Sequence, residues 1–154
     1  ELFVLPEAKI SEATQLIPGT DGEKMSKSKN NVIDIFLPEK ALRKQIMGIA
    51  TDSTPLEAPK DPESCNVFAL YRLLAQPNQI EAMAQNYAQG GYGYGHAKQA
   101  LFELIIDKFG PQREAFTEMV YDTKQLDELL AIGAAKAQKV ASEVMGRVRE
   151  HLGY

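Results

Sequence analysis

The chain has a single cysteine, Cys65, among its 154 residues, so no disulfide can close within it. The expected setting is a reducing compartment, the cytoplasm. Neither a Cys-x-x-Cys pair nor a local histidine accompanies that thiol, and a small, half-buried structural residue is expected there. Histidine is almost as scarce, with His96 and His151 alone. His96 near a helix start is expected to be structural, and His151 to favour the dipole at a helix C-terminus. Asp107, Glu114 and Glu118 have no histidine or cysteine at ligand spacing, so no metal site is expected. No run of 18 apolar residues is present, which excludes a membrane-spanning helix as the reading of any segment. A basic stretch leading into an apolar one is also missing at the start, so no signal peptide is expected. The chain opens without methionine, in mid-pattern, on ELFVLPEAKI, and is expected to be a piece of a longer one.

The net charge of −4 argues against a surface coated in positive charge for nucleic acid. Positive charge is local instead: residues 24–29, Lys40 with Arg43 and Lys44, and the last helix. The length suits one domain or two small ones. ELFVL and TQLIPG, short apolar runs closed by turn formers, read as buried strand ends. A helix is expected to start near Pro38, with Leu42, Ile46 and Ile49 as its apolar stripe. TDSTPLEAPKDPES, with three prolines and no periodicity, is a connector. Beyond it every segment has helical spacing. NVFALYRLLA is followed by NQIEAMAQNYA, which Asn78 is placed to cap. After the GGYGYG break, HAKQALFELIIDKFG puts Ala97, Leu101, Leu104, Ile105 and Phe109 on one side. A further helix is expected to begin at Pro111, then a short capped stretch TKQLDELLAIG. The last helix carries a stripe of Ala137, Val140, Ala141, Val144, Val148 and Leu152. The expected class is mainly α: the end of a Rossmann-like α/β domain in residues 1–50, then a bundle of about five helices in 51–154.

Residues 19–31, GTDGEKMSKSKNN, cannot build a core: Met25 is their one sizeable apolar side chain, and Lys24, Lys27 and Lys29 fall within six residues. Lysines remain cationic at neutral pH, Ser26 and Ser28 can donate hydroxyl protons, and backbone N–H groups near glycines can cradle anionic oxygens. A loop of this chemistry suits phosphate, and one able to open and close suits gripping and releasing pyrophosphate. On composition alone, a solvated surface turn that happens to be lysine-rich is the favoured reading.

The order of residues is more specific. KMSKS at Lys24–Ser28 resembles the second signature motif of the class I aminoacyl-tRNA synthetases. Its context, PGTDGE before and KNNVIDIF and LPEKALRKQIMGIATDSTPLE after, resembles the bacterial tryptophanyl-tRNA synthetases. The similarity continues through YGHAKQALFELI to GAAKAQKVASEVMGRVREHLG and so covers essentially the whole chain. The tyrosyl relatives usually carry phenylalanine and glycine within the motif, where this chain has Met25 and Ser26.

The resemblance implies that the loop closes on the triphosphate of ATP while tryptophan's carboxylate attacks the α-phosphorus. Tryptophanyl-adenylate and pyrophosphate form, and the amino acid then passes to tRNA(Trp). Lys27 would be the main phosphate contact, supported by Lys24. Met25, Ser26 and Ser28 would complete the ATP cradle, and Gln15 would pass near the adenine. Mg²⁺ would arrive with ATP. The family's first motif, of His-x-Gly-His type, is absent, and the tryptophan pocket is expected to lie in the same absent half, so the chain alone should not activate an amino acid. The resemblance also implies a homodimer. Alternatives are a tyrosyl-tRNA synthetase portion or a non-catalytic RNA-binding paralogue.

For RNA, the resemblance implies anticodon binding by the helical part. Lys136, Lys139 and Arg147 lie off the last helix's apolar stripe and could meet phosphates, or could form an ordinary solvated face beside Glu143 and Glu150. Tyr87, Tyr92 and Tyr94 are candidate stacking platforms or, beside glycines, plugs packed into a loop.

Overall fold

A computed structural model describes residues 3–11 and 16–154. The molecule is mainly α, with helices α1 (Glu39–Met47), α2 (Asn66–Leu74), α3 (Pro77–Gln89), α4 (Tyr94–Tyr121) and α5 (Thr123–Leu152). Contacts divide it into two compact units, residues 10–113 and residues 114–154 with the stretch up to residue 9. None of the described helices is long and apolar enough to cross a membrane.

Unit 10–113 holds the core. Pro38, at φ −51°, stands just before α1, and its carbonyl accepts from Ala41 and Leu42 at 2.8 and 3.0 Å. Leu42, Ile46 and Ile49 are all buried, as their spacing requires. They pack in one cluster with Val67, Phe68 and Leu70 of α2, Met83 and Tyr87 of α3, and Ala97, Leu101 and Ile105 of α4. Deep burial of this many branched and aromatic side chains is the main stabilising term, at roughly 1.5–3 kcal/mol per fully buried large residue.

The connector between α1 and α2 is organised by one side chain. Lys60 is buried, and its Nζ donates to the carbonyls of Pro55, Leu56 and Ala58 at 2.9, 3.2 and 3.1 Å. It also lies 5.4 Å from the Tyr94 ring centroid, over the electron-rich face. Gly90, at φ +75°, lets the chain pass so close to the connector that a Cβ there would come 2.2 Å from the Glu57 carbonyl oxygen. Helix α4 in turn donates to backbone carbonyls: Lys98 to Met47 at 3.1 Å, Lys108 to Leu74 at 2.6 Å, and Arg113 to Ile35 and to Leu37. Two of those acceptors end α1 and α2, where helix carbonyls lack intrahelical partners.

In the second unit, Asp122 caps α5 by accepting from the Gln125 amide at 3.0 Å, and Gly153 ends it in the left-handed region at φ +80°. Of the proposed stripe, Val144 and Val148 are half-buried, while no α5 side chain is fully buried.

Four expectations are corrected. ELFVL and TQLIPG form no strand among the described residues: Phe3, Val4, Leu5 and Leu16 are exposed, and one isolated antiparallel bridge, Pro18 with Lys24, is all the pairing present. Apolar runs become strands only where a neighbouring strand satisfies their backbone, and none is there. Pro111 does not start a helix but lies inside α4, where it removes one amide donor without stopping the helix. TKQLDELLAIG and the last helix are one, since Gly133 in α5 is tolerated at a modest propensity cost. Asn78 does not cap α3: Gln76 precedes the helix, and its amide donates to Gln79 Oε1 at 2.8 Å.

Candidate functional site

Residues 17–31 fold into a tight, hydrogen-bonded loop of unit 10–113. Its base is a short ladder: Met25 N donates to Ile17 O at 2.8 Å and Gly19 N to Glu23 O at 2.7 Å. Beyond the second rung Gly22, at φ +86°, closes the turn through its amide to Gly19 O at 3.1 Å. Thr20 ties the turn to the body, since its carbonyl accepts from Ala50 N at 2.7 Å. The motif itself enters in extended backbone at Ser26 and then forms one turn of 3-10 helix over Lys27–Lys29. Asn30, at φ 54°, ends that turn in the left-handed region that asparagine tolerates.

Met25 is the half-buried anchor. It lines an apolar cavity of about 340 Å³ with Ile17, Ile33, Ile35, Leu70 and Leu101. The chemistry-bearing groups point the other way, into water. Lys24, Lys27 and Ser28 are exposed and Ser26 is half-buried. Lys27 also lines a groove of about 590 Å³ with Asn30, Val32, Asp34, Phe36 and Gln45. Lys29 pairs with Glu23 at 3.5 Å, whereas neither Lys24 nor Lys27 has a carboxylate partner among the described residues. Ser26 Oγ and Ser28 Oγ lie 2.9 Å apart. One proton joins the two hydroxyls, so the other is left to donate outward. Asp21, on the turn, is held below the usual carboxylate range chiefly by the Asn31 side-chain amide, then by the Glu23 backbone N–H and Lys29.

Sequence reasoning grouped Lys24, Met25, Ser26, Lys27 and Ser28, and the structure brings these five into one loop. Gln15 lies outside the described residues. Lys136, Lys139 and Arg147 are exposed on α5. At 3.6 residues per turn they share one face, but Glu143 and Glu150 fall on that face as well, so the strip carries mixed charge. Tyr87 cannot serve as a stacking platform, because it is fully buried. Its ring packs 5.9 Å from those of Phe68 and Tyr92 and 6.1 Å from that of Tyr94, and its hydroxyl lies 3.4 Å from Cys65 Sγ. Burial pushes the Tyr87 phenol far up. His96 is structural: its Nδ1 accepts from Gly93 N at 3.3 Å. Asn31 was missed. It is buried, and its side chain bonds to the loop at three points. The only available signal was its place beside the motif, in a doublet that composition assigns to a turn.

A helical body bearing an ordered Lys-Met-Ser-Lys-Ser loop with unpaired lysines is the arrangement of a class I tRNA synthetase. The family model described as tRNA synthetases class I (W and Y) matches residues 2–110, and the chain belongs to that family. Within it, the similarity is to the bacterial tryptophan enzymes. The chain is 46% identical over 153 residues to the tryptophan–tRNA ligases of Rhodopirellula baltica and Campylobacter jejuni, covering 99% of itself and 48% of each relative. It superimposes on the tryptophanyl-tRNA synthetase of Campylobacter jejuni, solved with ADP and tryptophan, with a TM-score of 0.85 at 45% identity. That match covers 99% of this chain and 48% of the other. A second structure of the Campylobacter enzyme gives a TM-score of 0.83. The chain thus spans about half the length of the relatives it matches.

Proposed function

We propose that this chain is the portion of a bacterial tryptophan–tRNA ligase that grips the phosphates of ATP and contacts tRNA(Trp). The observation carrying this reading is the loop itself, in which Lys24 and Lys27 lack a carboxylate partner among the described residues while the backbone around them is hydrogen-bonded at Met25, Ser26, Lys29 and Asn30. In the proposed reaction, a carboxylate oxygen of tryptophan attacks the α-phosphorus of ATP. The bond to the bridging oxygen breaks, and pyrophosphate leaves with the new negative charge. Lys27 meets that charge, Lys24 supports it, and the Ser26–Ser28 pair donates a hydroxyl proton. Preorganised cations and donors at a developing charge stabilise it without rearranging at the moment of reaction. A ribose hydroxyl of the tRNA's terminal adenosine then takes the tryptophanyl group and releases AMP.

Mg²⁺ belongs to this reading as a companion of ATP. The two carboxylates nearest the motif in sequence are already engaged, Asp21 with Asn31 and Glu23 with Lys29, which suits a metal held by phosphate oxygens and water. Residues 1–50 would complete the catalytic domain, and residues 51–154 would form the anticodon-binding domain. The first signature motif and the tryptophan pocket would come from sequence outside this chain, within a cytoplasmic homodimer.

Pyrophosphate exchange by the full-length protein, with tryptophan and with tyrosine, tests the proposal. Exchange with tryptophan alone is expected, and none from the 154-residue chain by itself. Exchange with tyrosine alone would keep the loop's role and change the substrate. No exchange with either would leave an RNA-binding paralogue as the better reading.

A further inference from the structure

Asn31 and Lys60 are the two buried polar side chains among the described residues, and Asn31 is 2% exposed. Its side-chain amide uses both donor protons and accepts one hydrogen bond. Oδ1 accepts from Ser26 N at 2.8 Å, and Nδ2 donates to Asp21 Oδ1 at 2.7 Å and to Lys24 O at 3.2 Å. Its own carbonyl accepts from Thr20 N at 2.9 Å. One residue thus holds the turn, through Thr20 and Asp21, and the motif, through Lys24 and Ser26. The fit is close enough that a Cβ at Gly19 would come 2.5 Å from Asn31 Cγ, so the glycine makes room for this amide. Within residues 19–31 only Met25 packs against the apolar core.

We propose that Asn31 is the positioning residue of the phosphate loop: its side chain splints the two arms so that Lys24 and Lys27 are presented in a fixed register. It would touch no substrate and act through the backbone on either side of the lysines. Only an amide can do this, because the site needs an acceptor for Ser26 N and donors for Asp21 and Lys24 O at once. Aspartate in its place would lose both donors and set a second carboxylate against Asp21.

The catalytic consequence rests on the ATP-gripping role proposed above, so the test has two arms that fail separately. In the first, amide hydrogen exchange at Ser26 is followed in the 154-residue chain. Asn31→Ala, which removes the acceptor that Ser26 N uses, should speed it, whereas amides of α2 and α4 should not change; an unchanged Ser26 rate overturns the splint. In the second, pyrophosphate exchange is measured on the full-length protein with Asn31→Asp, Asp21→Asn and the double variant. Misplacing a catalytic group by about 1 Å can cost about 100-fold, so Asn31→Asp should lower kcat about 10- to 100-fold with KM for tryptophan little changed. The double variant returns a donor–acceptor pair to positions 21 and 31 and should recover part of that loss. Equal damage to kcat and to KM for tryptophan, or no recovery in the double variant, overturns the positioning role. A wild-type protein without exchange activity would instead sink the ATP-gripping role, leaving the first arm to decide the splint.

Discussion

Tyr94 donates its hydroxyl to Asp52 Oδ1 at 2.8 Å, joining the first turn of α4 to the segment that follows α1. The bond shifts both partners in opposite senses. Asp52 is held below the usual carboxylate range by hydrogen bonds from Thr54 first and Tyr94 next. Tyr94 is pushed up to about 12, by burial first and by Asp52 next.

Tyr94→Phe therefore should move the Asp52 carboxyl titration upward, but not to its ordinary value, because Thr54 still donates. Carboxyl NMR titration checks this. The Asp52 contribution to stability is present above the ordinary carboxylate pKa and is lost as pH falls through the depressed one. For Tyr94 the sign reverses: its contribution is full below about pH 10 and lost as pH rises toward about 12. Urea unfolding across both limbs should show the Phe variant with a weaker dependence in each.

Lys60→Met keeps the apolar stem and removes the ammonium that three carbonyls share. Leaving buried acceptors short of a donor should destabilise the protein by about 1–3 kcal/mol. The Gly91 amide, which donates to Leu56 O at 2.9 Å, should exchange faster as the connector loosens. Thermal and urea unfolding give the first number, and hydrogen exchange reads the second.

Lys27→Ala in the full-length protein should lower the rate of adenylate formation by about 10²- to 10³-fold, the usual scale for one donor at a developing charge. Affinity for tryptophan should stay nearly constant, because Lys27 faces the phosphate and not the amino acid in the proposed complex. Lys24→Ala should follow the same pattern with a smaller loss. Pre-steady-state ATP consumption separates the two quantities, and matched losses in both would remove Lys27 from the proposed role.

Replacing Lys136, Lys139 and Arg147 by glutamate, one at a time, should weaken tRNA binding by the full-length protein. Each true phosphate contact should also reduce the salt slope of binding by about one. An unchanged slope at all three would make this strip of α5 a solvated face, a reading that Glu143 and Glu150 on the same face already make physical sense of.

The helical body was readable because burial imposes a period: Leu42, Ile46 and Ile49, then Ala97, Leu101 and Ile105, are apolar where a 3.6-residue repeat requires and are buried in the structure. The lysines and serines of the loop were readable for a different reason, since their order resembles a family motif. Punctuation misled: Pro111 and Gly133 read as breaks, but a helix of 28 or 30 residues absorbs one unfavourable residue. ELFVL misled because an apolar run says nothing about whether a neighbour exists to pair with it. Asn31 and Lys60 were illegible for a shared reason. Each is a polar residue buried by several backbone groups brought together from different places in the chain, and no local pattern encodes that convergence.

The way α4 is fastened bears on how this protein meets acid. Lys98, Lys108 and Arg113 reach backbone carbonyls, and Arg43 reaches the Gln99 side-chain carbonyl at 3.2 Å. None of those acceptors takes up a proton in any ordinary range of pH. The loop is held differently, since the Asn31 splint ends on the carboxylate of Asp21. Protonating Asp21 would thus cost the loop one of the three bonds its Asn31 side chain makes, and protonating Asp52 would cost α4 its Tyr94 bond, while the cation-to-carbonyl fastenings of α4 lose nothing to acid.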